Sequence, residues 1–134
     1  MSGKAFFDTN ILVYVVGQKD KRTDKAEALL AGGGIISVQV LNELANVSRK
    51  KLRMSWEDIE EALSAIRVLC SPLPLTIDTH DAGRRIAARY GYSMFDGLIA
   101  ASALEAECDT LYSEDLQDGQ VIEGRLTVRN PFVE

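Results

Sequence analysis

A single histidine, His80, occurs in the 134 residues, and that scarcity removes whole classes of chemistry. A zinc site built on imidazole and a serine–histidine–aspartate triad are left almost no room. Any metal would have to be held by oxygen, which restricts the candidates to hard cations. Cysteine is nearly as scarce. Cys70 and Cys108 form no CxxC pair, so two buried thiols in a reducing compartment are expected. No apolar run approaches the ~20 residues that span a bilayer, and the opening MSGKAFF lacks the layout of a secretory signal. A cytoplasmic location without a membrane partner is therefore expected by default. Basic charge is also short: 15 Lys and Arg face 20 Asp and Glu, giving a net charge of −5 and a sequence pI near 4.9. Such a chain does not bind nucleic acid through bulk electrostatics, because phosphate contacts need a local concentration of Lys and Arg.

What is present fits one domain spanning residues 1–134, with a hydrophobic fraction of 46% and a charged fraction of 26%. Short apolar or β-branched stretches alternate with longer segments of helical period. Strands are expected at 4–7, from GGGII to about Ser37, at 75–77, at 110–112 and at 126–128. Helices are expected at 10–16, 24–31, 38–51, 55–69, 78–90 and 94–107, with SPLPL as a loop because its two prolines oppose helix. Alternating strands and helices predict an α/β domain of parallel strands joined by right-handed crossovers.

In open parallel sheets ligands bind beyond the carboxyl ends of the strands. Asp8 follows the first strand, and Ser113, Glu114 and Asp115 follow the strand at 110–112. Two helical acids could join them. Glu43 borders the apolar face that carries Val40 and Val47, and Asp96 opens the very apolar FDGLIAASAL. Each acid also has an ordinary explanation. Asp8 or Thr9 could be a helix N-cap, Asp96 stands three residues after Ser93 as in a capping box, Glu43 could be solvated and Asp115 could belong to a turn. Together, carboxylates converging on one end of a sheet would raise one another's pKa unless a cation offset the repulsion. A Mg²⁺ or Mn²⁺ ion supplies that cation.

The blocks FFDTNILVY, SVQVLNELANV, SMFDGLIAASAL and LYSEDLQDGQ, followed by RLTVRNPF, resemble the sequence blocks of PIN domains, closest to the toxins of bacterial VapBC toxin–antitoxin pairs. They run in the family's order from Phe6 to Phe132. The resemblance implies a three-layer fold with a short central parallel sheet between helices, and a metal-dependent ribonuclease. It places the family's acidic quartet on Asp8, Glu43, Asp96 and Asp115, with Asn10 and Ser113 assisting and Asp118 acting at most through water. Asp8 and Asp96 are then the expected direct metal ligands, while Glu43 and Asp115 complete the sphere or orient the water. RNA as substrate, a small VapB-like antitoxin as partner and a homodimer are further implications.

Three basic clusters could guide RNA: Lys19, Lys21 and Arg22; Arg49, Lys50, Lys51 and Arg53; and Arg84, Arg85 and Arg89. Taken singly, each reads better as a solvated helix face or loop. Arg49, Lys50 and Lys51 are the preferred RNA contacts because they continue the helix that carries Glu43. Tyr14 and Trp56 read as packing residues. A haloacid-dehalogenase-type phosphatase would want an aspartate where Asn10 stands, and a response-regulator receiver would want a lysine after the last strand, where LTVR offers none. The remaining alternative is a PIN-like module that binds RNA or protein without cutting.

Overall fold

The computed structural model describes residues 4–133. Six short strands form one sheet: β1 (Ala5–Phe7), β2 (Gly34–Ser37), β3 (Cys70–Leu73), β4 (Thr110–Tyr112), β5 (Val121–Ile122) and β6 (Leu126–Arg129). Helices α1 (Thr9–Val16), α2 (Thr23–Ala31), α3 (Val38–Lys50), α4 (Trp56–Leu69), α5 (Ile77–Tyr90) and α6 (Met94–Glu105) flank it. The strand order is β3-β2-β1-β4-β6-β5, and every pair is parallel except β5 with β6. This is the expected α/β architecture of a short, mostly parallel sheet between helices.

Both faces of β1 are covered. Phe6 and Phe7 point to opposite faces, yet they are 0% and 1% exposed, as expected for a parallel sheet with helices on each side. After β1 the chain moves outward to β2 and β3, then returns to lay β4 on the other side of β1. The order thus reverses between β1 and β4, which opens a crevice above their carboxyl ends. The apolar helix α6 lies against the sheet, with Ile99, Ala100, Ala101, Ala103 and Leu104 all buried.

The sequence expectation fails at three places, each for a physical reason. Residues 70–73, which include the first part of the expected SPLPL loop, form β3. Pro72 is tolerated there because β3 is an edge strand, paired only with β2. Residues 75–77 form no strand, because Thr76 caps α5 in a reciprocal capping box with Thr79 and Ile77 begins the helix. Two-residue β5 is too short to leave a periodic trace and pairs back on β6 through a turn containing Gly124, at φ 67°. Cys70 and Cys108 are free and buried, and burial pushes each thiol up to about 11. No helix among the described residues is long and apolar enough to cross a membrane.

The start of α6 is placed by a close crossing with α5. A Cβ on Gly97 would overlap the carbonyl oxygen of Gly83, and one on Gly83 would stand 2.9 Å from Leu98 Cδ2. Gly97 is also the neighbour of Asp96, so this crossing fixes where that acid sits. Gly97→Ala should therefore destabilise the fold by about 1–3 kcal/mol through overpacking. Urea unfolding checks this, and an unchanged midpoint would contradict the close crossing.

Candidate active site

Backbone register brings the ends of β1 and β4 to one level. Phe7 stands opposite Tyr112, so Asp8 and Ser113 leave the sheet side by side, and Asp8 N donates to Tyr112 O at 3.0 Å. Ser113 Oγ donates to Asp8 Oδ2 at 2.8 Å, while Thr9 N donates to Oδ1 at 2.7 Å. Asn10 Nδ2 adds a longer bond to Oδ2 at 3.4 Å. The Asp8 side chain is buried, with both oxygens hydrogen-bonded, which is how a carboxylate survives removal from water. Asp8 also occupies the N-cap position of α1, so capping and a site role fall on the same residue. Thr9 lies inside the helix and its hydroxyl donates to Glu43 Oε2 at 3.1 Å.

Glu43 is delivered by β2. Ser37, at the end of that strand, caps α3 by accepting from Val40 N at 3.3 Å, and half-buried Glu43 follows within two turns. Asp96 is delivered by α6, whose cap Ser93 accepts from Asp96 N at 3.1 Å. The return bond of a capping box, from Ser93 N to the Asp96 carboxylate, is not formed among the described residues. That carboxylate instead lies within electrostatic range of Asp8, Glu43 and Asp115. Asp115 is exposed at the crevice mouth, and its N–H donates to Ser113 Oγ at 3.1 Å. One buried hydroxyl therefore links the first acid to the last.

Burial pushes the Asp8 carboxyl up to about 7, even though the bonds from Ser113 and Thr9 pull it down; the charges of Asp96 and Glu43 add to the rise. Burial also raises Glu43, with further increments from Asp96 and Asp115, and it raises Asp96, with Asp115 adding to it. Among the described residues none of these acids is in an ion pair. The donor set is all oxygen and mutually repelling, which fits a hard divalent cation. No group of three or more His, Cys, Asp or Glu among the described residues is gathered tightly enough to hold an ion by itself. Asp8 is held by Ser113 and Thr9, and Glu43 by the Thr9 hydroxyl, so the set fits an ion that keeps several waters.

The other candidates separate. Asn10 belongs to the site: its Oδ1 accepts from Glu114 N at 3.1 Å while its amide reaches Asp8. Asp118 is exposed and its Oδ1 accepts from Asn130 N at 2.8 Å, tying down the chain after β6. Lys51 lines a cleft of about 460 Å³ together with Thr9, Glu43 and Asp115. Arg49 turns away, donating to Met54 O and lying 5.4 Å from the Trp56 ring. Lys50 is exposed on the last turn of α3. Sequence reasoning noted Glu114 after the strand but gave it no role; its Oε1 accepts from Tyr14 OH at 2.6 Å and its Oε2 lies 3.6 Å from Arg22 Nε. Sequence reasoning also missed the Thr9–Glu43 bond. Their adjacency to Asp115 and Asp8 was the available signal, but side-chain direction beyond a strand end has no periodicity to reveal it.

No curated protein matches the chain by sequence, but solved structures share its fold. A sarcin–ricin-loop-cleaving toxin, VapC20 of Mycobacterium tuberculosis, superposes with a TM-score of 0.69 at 22% identity, over 84% of this chain and 90% of that one. A toxin–antitoxin complex from Klebsiella pneumoniae gives 0.73 at 20% identity over 96% and 98% of the two chains. VapBC2 of Rickettsia felis, bound to a promoter DNA fragment, gives 0.68 at 22% identity over 94% and 97%. The PIN domain family matches residues 5–117, from β1 through the segment after β4 that carries Asp115. The chain belongs to the PIN domain family.

Proposed function

We propose that this protein is a metal-dependent endoribonuclease that hydrolyses RNA phosphodiester bonds, and that it is the toxin of a toxin–antitoxin pair. The observation that carries the reading is the meeting of Asp8, Glu43, Asp96 and Asp115, from four separate segments, at the strand-order reversal of a PIN domain with no protein cation paired to any of them among the described residues. The solved neighbours, among them a sarcin–ricin-loop-cleaving toxin, a toxin–antitoxin complex and VapBC2, support the toxin role and a small antitoxin partner. A homodimer belongs to the same reading.

Asp8 and Asp96 would hold a Mg²⁺ or Mn²⁺ ion, with Asp115 joining them from the crevice mouth. When bound, such an ion supplies positive charge against the phosphodiester and lowers the pKa of a neighbouring water. Ser113 and Thr9 hold the Asp8 carboxylate in place before substrate arrives, which is the preorganisation that makes a charged site effective. Glu43, fixed by the Thr9 hydroxyl and raised by burial, orients the attacking water and takes its proton. Attack at phosphorus breaks the bond to the ribose 3′-oxygen, which takes a proton from solvent, leaving 5′-phosphate and 3′-hydroxyl ends.

Asp96→Asn should abolish RNA cleavage in Mg²⁺ or Mn²⁺ while circular dichroism shows an intact fold. Full activity in that variant, or wild-type cleavage that persists in EDTA, would sink the assignment.

The raised pKa of Asp8 has a stability consequence in metal-free protein. Between about 4 and 7 the folded state keeps a proton on Asp8 that the unfolded chain has already lost, so stability falls as pH rises through that window. At pH 8 Asp8→Asn should therefore raise the melting temperature of metal-free protein by several degrees, since each tenfold change in proton affinity between the two states is worth about 1.4 kcal/mol. Added Mn²⁺ should stabilise the wild type more than the variant at the same concentration. A non-catalytic module that uses its acids structurally would instead melt earlier on the same substitution.

A further inference from the structure

Beside the acidic cleft lies a second one of opposite character. It has a volume of about 610 Å³ and is lined by Lys21, Arg22, Lys25, Glu114, Asn130 and Phe132. Glu114 lines both clefts, so the two share a wall. That wall is tied to the candidate catalytic centre, because Glu114 N donates to Asn10 Oδ1, whose amide bonds Asp8. A carboxylate at this point would normally repel an entering phosphate. Here one of its oxygens accepts from Tyr14 OH at 2.6 Å and the other faces Arg22 Nε at 3.6 Å.

The remaining groups match a nucleotide. Lys21 and Lys25 are exposed and form no ion pair among the described residues. Phe132 is held in place from two sides. Its N–H donates to Asn130 Oδ1 at 3.0 Å, and its ring meets Tyr14 edge-on, with centroids 5.0 Å apart. Asp118 braces the same segment through Asn130 N. Arg22 in turn lies 5.3 Å from the Tyr14 ring centroid. A pre-positioned aromatic ring beside two lysines is the combination that binds single-stranded nucleic acid: the ring stacks a base and the cations take phosphates.

We propose that this cleft is a nucleotide subsite, in which Lys21 and Lys25 contact the RNA backbone next to the scissile phosphate and Phe132 stacks a base. The inference rests on the ribonuclease reading and adds where the substrate lies. It also assigns the first basic cluster a place that the acidic composition alone would not predict, across Glu114 from the cleft that Lys51 lines.

The test is fluorescence anisotropy with a short fluorescein-labelled single-stranded RNA, in EDTA to prevent cleavage, across a series of KCl concentrations. Lys21→Ala/Lys25→Ala should weaken binding on the order of tenfold at low salt. The slope of log K against log salt should also flatten by about 1.4, or roughly 0.7 for each phosphate that is no longer neutralised. Phe132→Ala should weaken binding roughly fivefold or more, and Phe132→Trp should restore it. Arg67→Ala, an exposed cation on α4, provides the charge control. If the double-lysine variant matches that control in affinity and slope while wild type still cuts RNA, the subsite is wrong and the ribonuclease reading stands. If RNA binding is unchanged and the variant instead loses its co-expressed antitoxin, the cleft belongs to a protein partner and the proposal is overturned. If wild type neither binds nor cuts RNA, both readings fall.

Discussion

The hydrogen bond from Ser113 to Asp8 joins residues 105 positions apart, and it can form only because β1 and β4 are parallel neighbours in register. A buried carboxylate is unfavourable unless its oxygens are met by donors. Asp8 meets that requirement with Ser113 on one oxygen and Thr9 on the other. The phenylalanines before it, packed into opposite faces of the sheet, hold the strand end still. The first acid is thus fixed by the fold itself, and the other three are arranged around it by α3, α6 and the turn after β4.

Fixing Asp8 in this way works against stability. Its pKa is pushed to about 7 by burial, and its neighbours add like charge. Strain of this kind is common at functional sites, where a charge arrangement suited to chemistry is poorly suited to folding. Glu114 illustrates how the strain is limited nearby. Its carboxylate engages Tyr14 and Arg22, so acidic charge is compensated on the side where a polyanion would pass, while the central acids form no ion pair among the described residues.

Much of this is legible in the sequence because the acids sit where periodic structure ends. Asp8 follows Phe6–Phe7, Asp96 opens an apolar helix, and both positions stand out against a regular pattern. The edge strand is hidden because Pro72 reads as a breaker, and only its place at the rim of the sheet makes it acceptable. Ile77 reads as strand because it is apolar, whereas the Thr76–Thr79 capping box decides for helix. The basic residues are least legible. Of the run that continues α3, Lys51 lines the cleft that holds Glu43 and Asp115 while Arg49 lies against Trp56, a difference set by rotation around the helix end and by the chain that follows it.

If Asp8, just past β1, and Asp96, in α6, act as one metal site with the other acids, they must share the energy of binding a single ion. Isothermal titration calorimetry of Mn²⁺ into the protein, at a pH above the Asp8 transition near 7, tests this most directly. Saturable binding to wild type is expected, weakened about tenfold or more by Asp8→Asn and by Asp96→Asn alike, and unchanged by Asp118→Asn. Absence of binding to wild type, or binding indifferent to both substitutions, would contradict the shared metal site.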